Sequence, residues 1–265
     1  MSRPASYFFI RVPKCASTAL REALVAAHPE FAALKLRSPM SYSWRQGLYG
    51  NLRLLKKERR MLWNNFRVLS YPAMWKKLAA ESSVGRIISG HMKYSEIAMD
   101  KRQVRLVTLL RHPVDRFISD YNYSSNSYKN KGFLSQHLYT NERSQAGRGS
   151  LEEYVGYLEK TGQDRRAYQL EYVIDPNWSG DPVDFMEQHY FCYGLVENMA
   201  DFKAQFFQKT AVELQLDNLN RSKGVDKASI SPSLRQRIEV LCAKDIQFYN
   251  RIESNIANKR GAQCA

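Results

Sequence analysis

The chain has 265 residues, 44% of them hydrophobic and 25% charged, a composition that excludes intrinsic disorder as an account of the whole chain. Its 40 lysines and arginines exceed its 26 aspartates and glutamates, so the formal net charge is +14. This excess indicates a negatively charged partner and leaves nucleic acid, anionic lipid, nucleotide and acidic polysaccharide open. No apolar run has the length of a signal peptide or a membrane-spanning helix, and the four cysteines form no C-x-x-C pair. We therefore expect a soluble, cytoplasmic protein without a metal site or a disulfide framework.

Segments with strand patterns alternate with segments with helix patterns, without internal repeats or low-complexity linkers. In chain order, we predict a strand at 7–12, a helix at 18–27, strands at 86–89 and 104–110, a helix that Pro113 opens, helices at 151–158 and 164–173, a strand at 190–195, and helices at 199–207 and 232–249. The almost unbroken apolar run at 104–110 is typical of a parallel sheet that is covered on both faces. The alternation predicts an α/β fold, with a mainly parallel sheet flanked by helices in a single domain that spans residues 1–265.

Most of the positive charge lies in one segment, residues 35–86. This segment carries twelve lysines and arginines against Glu58 and Glu81, a net charge of +10. It also contains Trp44, Trp63 and Trp75, which a disordered basic tail would lack. We expect a helical segment that packs against the domain and displays a cationic face.

The loop between the first strand and the first helix is the first candidate binding site, and it reads R-V-P-K-C-A-S-T from residue 11 to residue 18. Backbone N–H groups at a helix N-terminus attract anions, and Lys14 with the hydroxyls of Ser17 and Thr18 adds donors. The loop lacks the glycines of a Walker A sequence, and its lysine precedes the small residues, which disfavours an ATPase or GTPase. The alternative interpretation is an ordinary helix N-cap at Ser17, with Lys14 in solvent.

A second candidate site follows the strand at 104–110 and reads R-H-P-V-D-R-F-I-S from residue 111 to residue 119. Arg111 ends the strand, Pro113 opens a helix, and Ser119 lies about two turns farther along. A phosphate near this strand end could be held by the Arg111 guanidinium and the Ser119 hydroxyl. The alternative is a surface arginine and a solvated serine on a helix face.

Together the two motifs resemble the paired nucleotide-binding signatures of sulfotransferases that use 3′-phosphoadenosine 5′-phosphosulfate (PAPS). The first is similar to their loop for the 5′-phosphosulfate, and the second to their R-x-P-x-x-R-x-x-S element for the 3′-phosphate. The resemblance implies the P-loop-NTPase-like sulfotransferase fold, PAPS as donor, 3′-phosphoadenosine 5′-phosphate (PAP) as product, and no need for a metal. The cofactor-binding residues that it implies are Pro13, Lys14, Cys15, Ala16, Ser17, Thr18, Arg111 and Ser119, with a later basic loop at Arg221, Ser222, Lys223 and Gly224. For that later loop, the alternative is an ordinary basic surface turn.

Among these enzymes the carbohydrate sulfotransferases are the more similar, and especially the hexuronic acid 2-O-sulfotransferases. Their loop reads R-V-P-K-T-A-S-T, so Cys15 stands where they carry threonine. The segment S-G-H-M-K-Y at residues 89–94 resembles their G-H-x-x-Y segment, in which the histidine is catalytic. His112 stands where an acidic or amide residue is common in the family, which implies a titratable group beside the 3′-phosphate.

Sulfuryl transfer needs a base for the acceptor hydroxyl and a positive charge for the leaving phosphate. His91 is the candidate general base, because an unperturbed histidine titrates near neutral pH, and the alternative is a core or capping histidine. Lys14 is the candidate that stabilises the bridging oxygen as the S–O bond breaks. Glu96 and His112 are the fallback bases. The candidate acceptor contacts are Arg11, which the resemblance implies, and Tyr94 and Gln169.

These observations favour a sulfotransferase for a hydroxyl of an acidic glycan, an anionic polysaccharide or oligosaccharide that lies along the basic segment. A second hypothesis keeps the donor and changes the acceptor to a small alcohol, a phenol or a lipid headgroup. A third is a basic nucleic-acid-binding protein, although the chain carries no recognisable nucleic-acid motif.

Overall fold

A five-stranded parallel sheet lies at the centre of the fold in the computed structural model, which describes residues 6–37, 85–97, 101, 104–130, 141–162, 168–216 and 224–264. The strands are β1 (Ser6–Ile10), β2 (Ala32–Arg37), β3 (Arg86–His91), β4 (Val104–Leu110) and β5 (Cys192–Leu195). Their order across the sheet is β2-β3-β1-β4-β5, and every neighbouring pair is parallel.

Helices surround this sheet. Within the described residues they are α1 (Ser17–Ala27), α2 (Pro113–Lys129), α3 (Asn141–Arg148), α4 (Leu151–Thr161), α5 (Tyr168–Val173), α6 (Pro182–His189), α7 (Met199–Thr210), α8 (Pro232–Leu241) and α9 (Ala243–Cys264). No helix in these ranges is long and apolar enough to cross a bilayer. The α/β class and the parallel sheet with flanking helices are confirmed.

The hydrophobic core lies on both faces of the sheet, and β1 shows why. Its side chains alternate between the faces: Phe8 and Ile10 pack on one, Tyr7 and Phe9 on the other. Helices α6 and α9 contribute to the first cluster, and helices α1 and α7 to the second. Because both faces are covered, β1 is an unbroken apolar run, and each large side chain buried in it contributes about 1.5–3 kcal/mol to stability.

The order of the strands sets the position of the site. The chain leaves β1 toward β2 and β3 on one side, and then crosses to β4 and β5 on the other. The carboxyl ends of β1 and β4 therefore flank a topological switch point, where parallel α/β sheets bind their ligands. The pairing of Ile10 with Thr108 and with Gly90 brings the ends of β1, β4 and β3 to one edge.

One expectation about the elements is corrected, and others are tested only in part. The predicted helix at 232–249 is two helices, because the first one ends at Leu241. The N–H of the next residue, Cys242, is shared between the carbonyls of Ile238 and Glu239. The predicted helix at 164–173 is described only from Tyr168 onward. The helical prediction for the basic segment is wrong at residues 35–37, which are strand because β2 pairs with β3. Residues 38–84 lie outside the described residues, so the helical character of that part stays a prediction. The single-domain boundary at 1–265 stays a prediction too.

Three elements were missed, each for a physical reason. Strand β2 reads A-A-L-K-L-R, a composition with high helix propensity, and pairing with β3 overrides it. Helix α3 has no apolar stripe, and only Ala146 enters a core cluster. Helix α6 did carry a signal, because Asp181 caps it and Pro182 occupies its first turn.

Candidate active site

The loop after β1 is built to receive an anion. The Arg11 N–H extends the pairing with β3 by donating to the Gly90 carbonyl at 2.8 Å, and the chain then turns into α1. Lys14 and Ala16 adopt positive φ angles of 70° and 49°, which non-glycine residues enter at a cost of about 1–3 kcal/mol. Ala16 is the N-cap of α1 and offers no capping side chain. The first amides of α1 therefore lack the usual internal acceptor in the described structure, as an anion site requires.

Arg11 lies beneath this loop with only 4% of its surface exposed. Its Nη2 donates to the hydroxyls of Ser17 at 3.4 Å and Thr18 at 3.3 Å. Since each hydroxyl accepts from the arginine, its own proton remains to be donated to an anion. Burial is the main cause that lowers the pKa of Arg11, with the nearby Arg21 second. The structure thus places Arg11, a predicted acceptor contact, against Ser17 and Thr18 of the anion-binding loop.

Lys14 reaches from the loop toward α2. Its ammonium lies 4.3 Å from the centre of the Tyr123 ring. Arg111 Nη1 donates to the Lys14 carbonyl at 3.2 Å, so the two predicted phosphate sites are in direct contact. Burial has the largest effect on the pKa of Lys14 and lowers it. The negative charge of Asp120 opposes this effect, but the pKa stays below its ordinary value. Tyr123 was not predicted as a site residue. It lies one helical turn after Ser119, and this spacing could have indicated that the two side chains share a face of α2.

The second motif continues into α2, where Ser119 is buried and Asp115 pairs with Lys227 at the surface. Arg116 is buried as well, with its guanidinium 4.0 Å from the centre of the Tyr168 ring and 3.9 Å from Asp120. Arg111, the other arginine of the motif, bonds to the loop after β1.

His91 ends β3 at the same edge of the sheet, and its contact defines its tautomer. Its Nδ1 lies 2.7 Å from the carbonyl oxygen of Arg11. Because a carbonyl oxygen only accepts, Nδ1 carries the proton in this hydrogen bond, and Nε2 is the basic nitrogen of the neutral ring. This is the arrangement that a general base needs.

The two fallback bases have structural contacts. The Glu96 carboxylate accepts the Lys93 N–H at 2.8 Å in a capping box of the short turn Tyr94–Glu96. His112 is the N-cap of α2: its backbone N–H donates to Glu197 at 3.0 Å, and its imidazole packs edge-on against the Tyr249 ring. His91 therefore has the more suitable geometry.

Two of the predicted acceptor contacts lie in the interior. The Tyr94 hydroxyl lies 3.4 Å from Nδ1 of His189, and its ring packs edge-on against Phe185. Gln169 is 1% exposed and bonds to Arg111 and Cys15. Direct contact between Gln169 and an acceptor does not fit this placement, because its amide is already occupied. The thiol of Cys15, which replaces the usual threonine, also points inward.

The later basic loop is described only at its end. Arg221, Ser222 and Lys223 lie outside the described residues, whereas Gly224 lies against α2. Asn122 of α2 holds the next residue, accepting the Val225 N–H at 2.9 Å and donating to its carbonyl at 3.2 Å. The end of the loop is thus fixed beside the helix that carries Ser119. Across the described ranges, no group of three or more His, Cys, Asp or Glu could hold a metal ion.

The fold and the site are typical of nucleotide-binding α/β proteins, which bind phosphate groups at a cationic loop beside the topological switch point of a parallel sheet. Residues 6–173, well over half of the chain, match the model of the family described as sulfotransferase domain. The chain belongs to that family.

Several solved structures resemble this chain at low identity. The mouse sulfotransferase SULT7A1 complexed with PAP is 16% identical (TM-score 0.31), and the match covers 90% of this chain and 64% of that one, so the chain spans just under two thirds of its length. A sulfotransferase from Alicyclobacillus acidocaldarius is 15% identical (TM-score 0.42), with 96% of each chain covered. A retinol dehydratase in complex with androsterone and the inactive cofactor PAP is 16% identical (TM-score 0.36), with 93% of this chain and 81% of that one covered. No curated protein matches the chain in sequence.

Proposed function

We propose that this protein is a PAPS-dependent sulfotransferase that transfers the sulfuryl group to a hydroxyl of an acidic carbohydrate. The observation that carries the proposal is the contact between the two anion-binding elements, the hydrogen bond from Arg111 to the Lys14 carbonyl. The loop after β1 and the end of β4 therefore border one ligand site. A nucleotide with phosphates at both its 5′ and 3′ positions needs two such elements side by side.

Unpaired cationic donors support an anionic ligand at this point. Nε and Nη1 of Arg11 and Nε of Arg111 are buried and have no hydrogen-bond partner among the described residues. A buried donor without a partner costs about 1–3 kcal/mol, and more when it is charged. An anion bound beside these two arginines would bring acceptor oxygens to a region rich in positive charge, whereas a neutral apolar ligand would bring none.

The roles of the residues follow from their positions. PAPS, when bound, supplies the sulfuryl group. Lys14 and the first amides of α1 would hold its 5′ side, and Arg111 with Ser119 would hold the 3′-phosphate. Lys14 would also stabilise the negative charge that grows on the leaving oxygen. His91 takes the proton of the acceptor hydroxyl at Nε2, and its Nδ1–H remains bonded to a carbonyl that stabilises the resulting imidazolium.

The acidic acceptor is inferred from the charge of residues 35–86, a segment whose backbone begins beside the end of β3. In the register of the sheet, Arg37 at the end of β2 pairs with His91 at the end of β3. The chain therefore enters the basic segment, which carries a net charge of +10, at the edge of the sheet where the candidate base lies. A small neutral acceptor gains nothing from this charge, whereas a polyanion is attracted by it.

Transfer of labelled sulfate from PAPS should be faster to a uronic-acid polysaccharide than to the same polymer after reduction of its carboxyl groups. We expect a difference of about tenfold or more in kcat/KM, because charge attraction raises the encounter rate. The advantage should shrink as ionic strength rises. The reduced polymer is the matched control, since it keeps the sugar hydroxyls and loses only the charge.

Two outcomes would contradict the proposal at different levels. Equal transfer to both polymers, or preferred transfer to a phenol or simple alcohol, would overturn the acidic acceptor and keep the sulfotransferase. Salt-sensitive binding to oligonucleotides, with no thermal stabilisation by PAP, would overturn the enzyme and favour a nucleic-acid-binding protein.

Replacing Gly224 with alanine should weaken PAP binding and lower thermal stability. A Cβ at this position would lie 2.3 Å from Oδ1 of Asn122, and the φ of 155° is one that side chains disfavour. Relief of this contact costs about 1–3 kcal/mol and moves the end of the basic loop off α2. Calorimetry with PAP and a thermal melt measure the two effects.

Gly156→Ala is the matched control for this substitution. Gly156 lies in α4, and the nearest atom to a Cβ there is Arg237 Nη2 at 3.5 Å, an ordinary contact. Alanine should raise stability by about 0.5–1 kcal/mol at a helix position and leave PAP affinity unchanged. A Gly224→Ala protein that binds PAP like the wild type would show that the loop end does not affect the nucleotide.

A further inference from the structure

Gln169 of α5 lies directly under the end of β4. Its Oε1 accepts the Arg111 N–H at 3.0 Å, and its Nε2 donates to the Arg111 carbonyl at 2.7 Å. One side-chain amide thus satisfies both backbone polar groups of the first residue after the strand, as a neighbouring strand would. This pairing fixes the backbone from which the Arg111 guanidinium projects.

The same amide oxygen also bonds to the loop after β1. The Cys15 thiol donates to Gln169 Oε1 at 3.3 Å. Burial raises the pKa of Cys15 to about 12, so the thiol keeps its proton and remains a donor. A single oxygen atom therefore accepts from both phosphate-binding elements, which are 96 positions apart in the sequence.

A buried carboxylate holds Gln169 in place from behind. Asp245 of α9 accepts the N–H of Gln169 at 2.9 Å and that of Leu170 at 3.0 Å, which are first-turn amides of α5. Burial is the main cause that raises the pKa of Asp245 to about 6, so the group is mostly ionised at neutral pH and the hydrogen bonds are charge-assisted. The position of Gln169 is set by the protein interior and not by solvent.

We propose that Gln169 is a positioning residue that sets the spacing between the 5′-side loop and the 3′-phosphate site, so that one nucleotide reaches both. This inference rests on the proposed function. It assigns no contact between Gln169 and the nucleotide. Its effect must therefore be specific to ligands that span the two sites.

The test compares PAP with adenosine 5′-monophosphate and adenosine 3′-monophosphate, which each need one site. In Gln169→Met, PAP affinity should fall about tenfold or more, and each monophosphate should lose far less, because only the bisphosphate depends on the spacing. The measured quantity is the ratio of PAP affinity to monophosphate affinity. A purely structural loss would lower all three affinities together.

Gln205 provides a matched control in the same chain. Its Oε1 also accepts from a buried thiol, Cys192 at 2.9 Å, and from a backbone amide, Tyr193 at 3.3 Å, but beside β5. Gln205→Met removes the same kinds of bond and should leave the affinity ratio unchanged. If Gln169→Met does not fold, Cys15→Ala cuts only the link to the loop and should lower the same ratio about threefold.

The outcomes separate the two levels of inference. A wild-type protein that does not bind PAP would overturn the proposed function itself. A folded Gln169→Met or Cys15→Ala protein with the wild-type affinity ratio, in a chain that does bind PAP, would overturn the positioning role alone. A selective loss for PAP, absent in Gln205→Met, supports it.

Discussion

Replacing His91 with alanine is expected to lower turnover about 10²–10⁴-fold while PAP still binds, since this is the usual range for a general base. The structural reason is the hydrogen bond to the Arg11 carbonyl, which holds the proton on Nδ1 and makes Nε2 the basic atom. Steady-state kinetics with a good acceptor and calorimetry with PAP measure the two quantities. The acid limb of the kcat/KM profile, where a protonated base loses activity, should disappear in the variant.

His91→Gln is the sharper variant, because its amide nitrogen can still donate to the Arg11 carbonyl and yet offers no basic atom. It should be as inactive as His91→Ala. His189→Ala is the matched control: this exposed histidine contacts Tyr94 and Phe185 and has no place in the proposed chemistry. Near-normal turnover in His91→Ala, with intact PAP binding, would show that another group is the base.

Lys14→Ala is expected to lower kcat about 10²–10³-fold, the usual effect of removing one group that stabilises developing negative charge. It should weaken PAP binding as well, because the ammonium is half-buried between the loop and α2 and has lost part of its hydration. Single-turnover kinetics separate the chemical step from nucleotide binding. Lys244→Ala, which removes an exposed lysine of α9, is the control for net charge.

The pH dependence gives a second measurement for Lys14. Burial lowers the pKa of Lys14 in the free protein, and a bound anion favours the protonated form. PAP affinity should therefore be highest below that lowered pKa and should begin to fall at a lower pH than for an ordinary lysine. An alkaline limb that persists unchanged in Lys14→Ala would assign it to another group.

The parts of the fold that the sequence predicts are those with strong local signals. The apolar run of β1 is continuous because both faces are covered, and Pro113 marks the start of α2. The full strand order could not be predicted, because it includes β2. The alanines and leucines of β2 favour a helix, and only pairing with β3 makes the segment a strand. The end of α8 at Cys242 could not be predicted, because no glycine or proline marks it in the sequence.

The site divides in the same way. Lys14, Arg111 and His91 each follow a strand, so their common edge follows from a parallel sheet with a switch point. Gln169 was singled out as a polar residue on a helix, but its role depends on bonds to residues 58 and 154 positions away. Asn122 and Asp245 were missed because their partners are 103 and 76 positions distant. No local pattern reports such contacts.

The central position of β1 has a consequence for how the chain folds. It is the first strand in the chain, yet its two neighbours pair with it across 80 and 98 residues of sequence, as Tyr7 does with Ile87 and Arg105. Closing loops of this length is slow, since the entropy of closure is lost before any contact is gained. Until β3 has been synthesised, the aromatic run of β1 has two open edges, and one edge stays open until β4 follows. Open strand edges are the state in which nascent chains associate with one another. Chaperone binding during synthesis would be most useful over that interval.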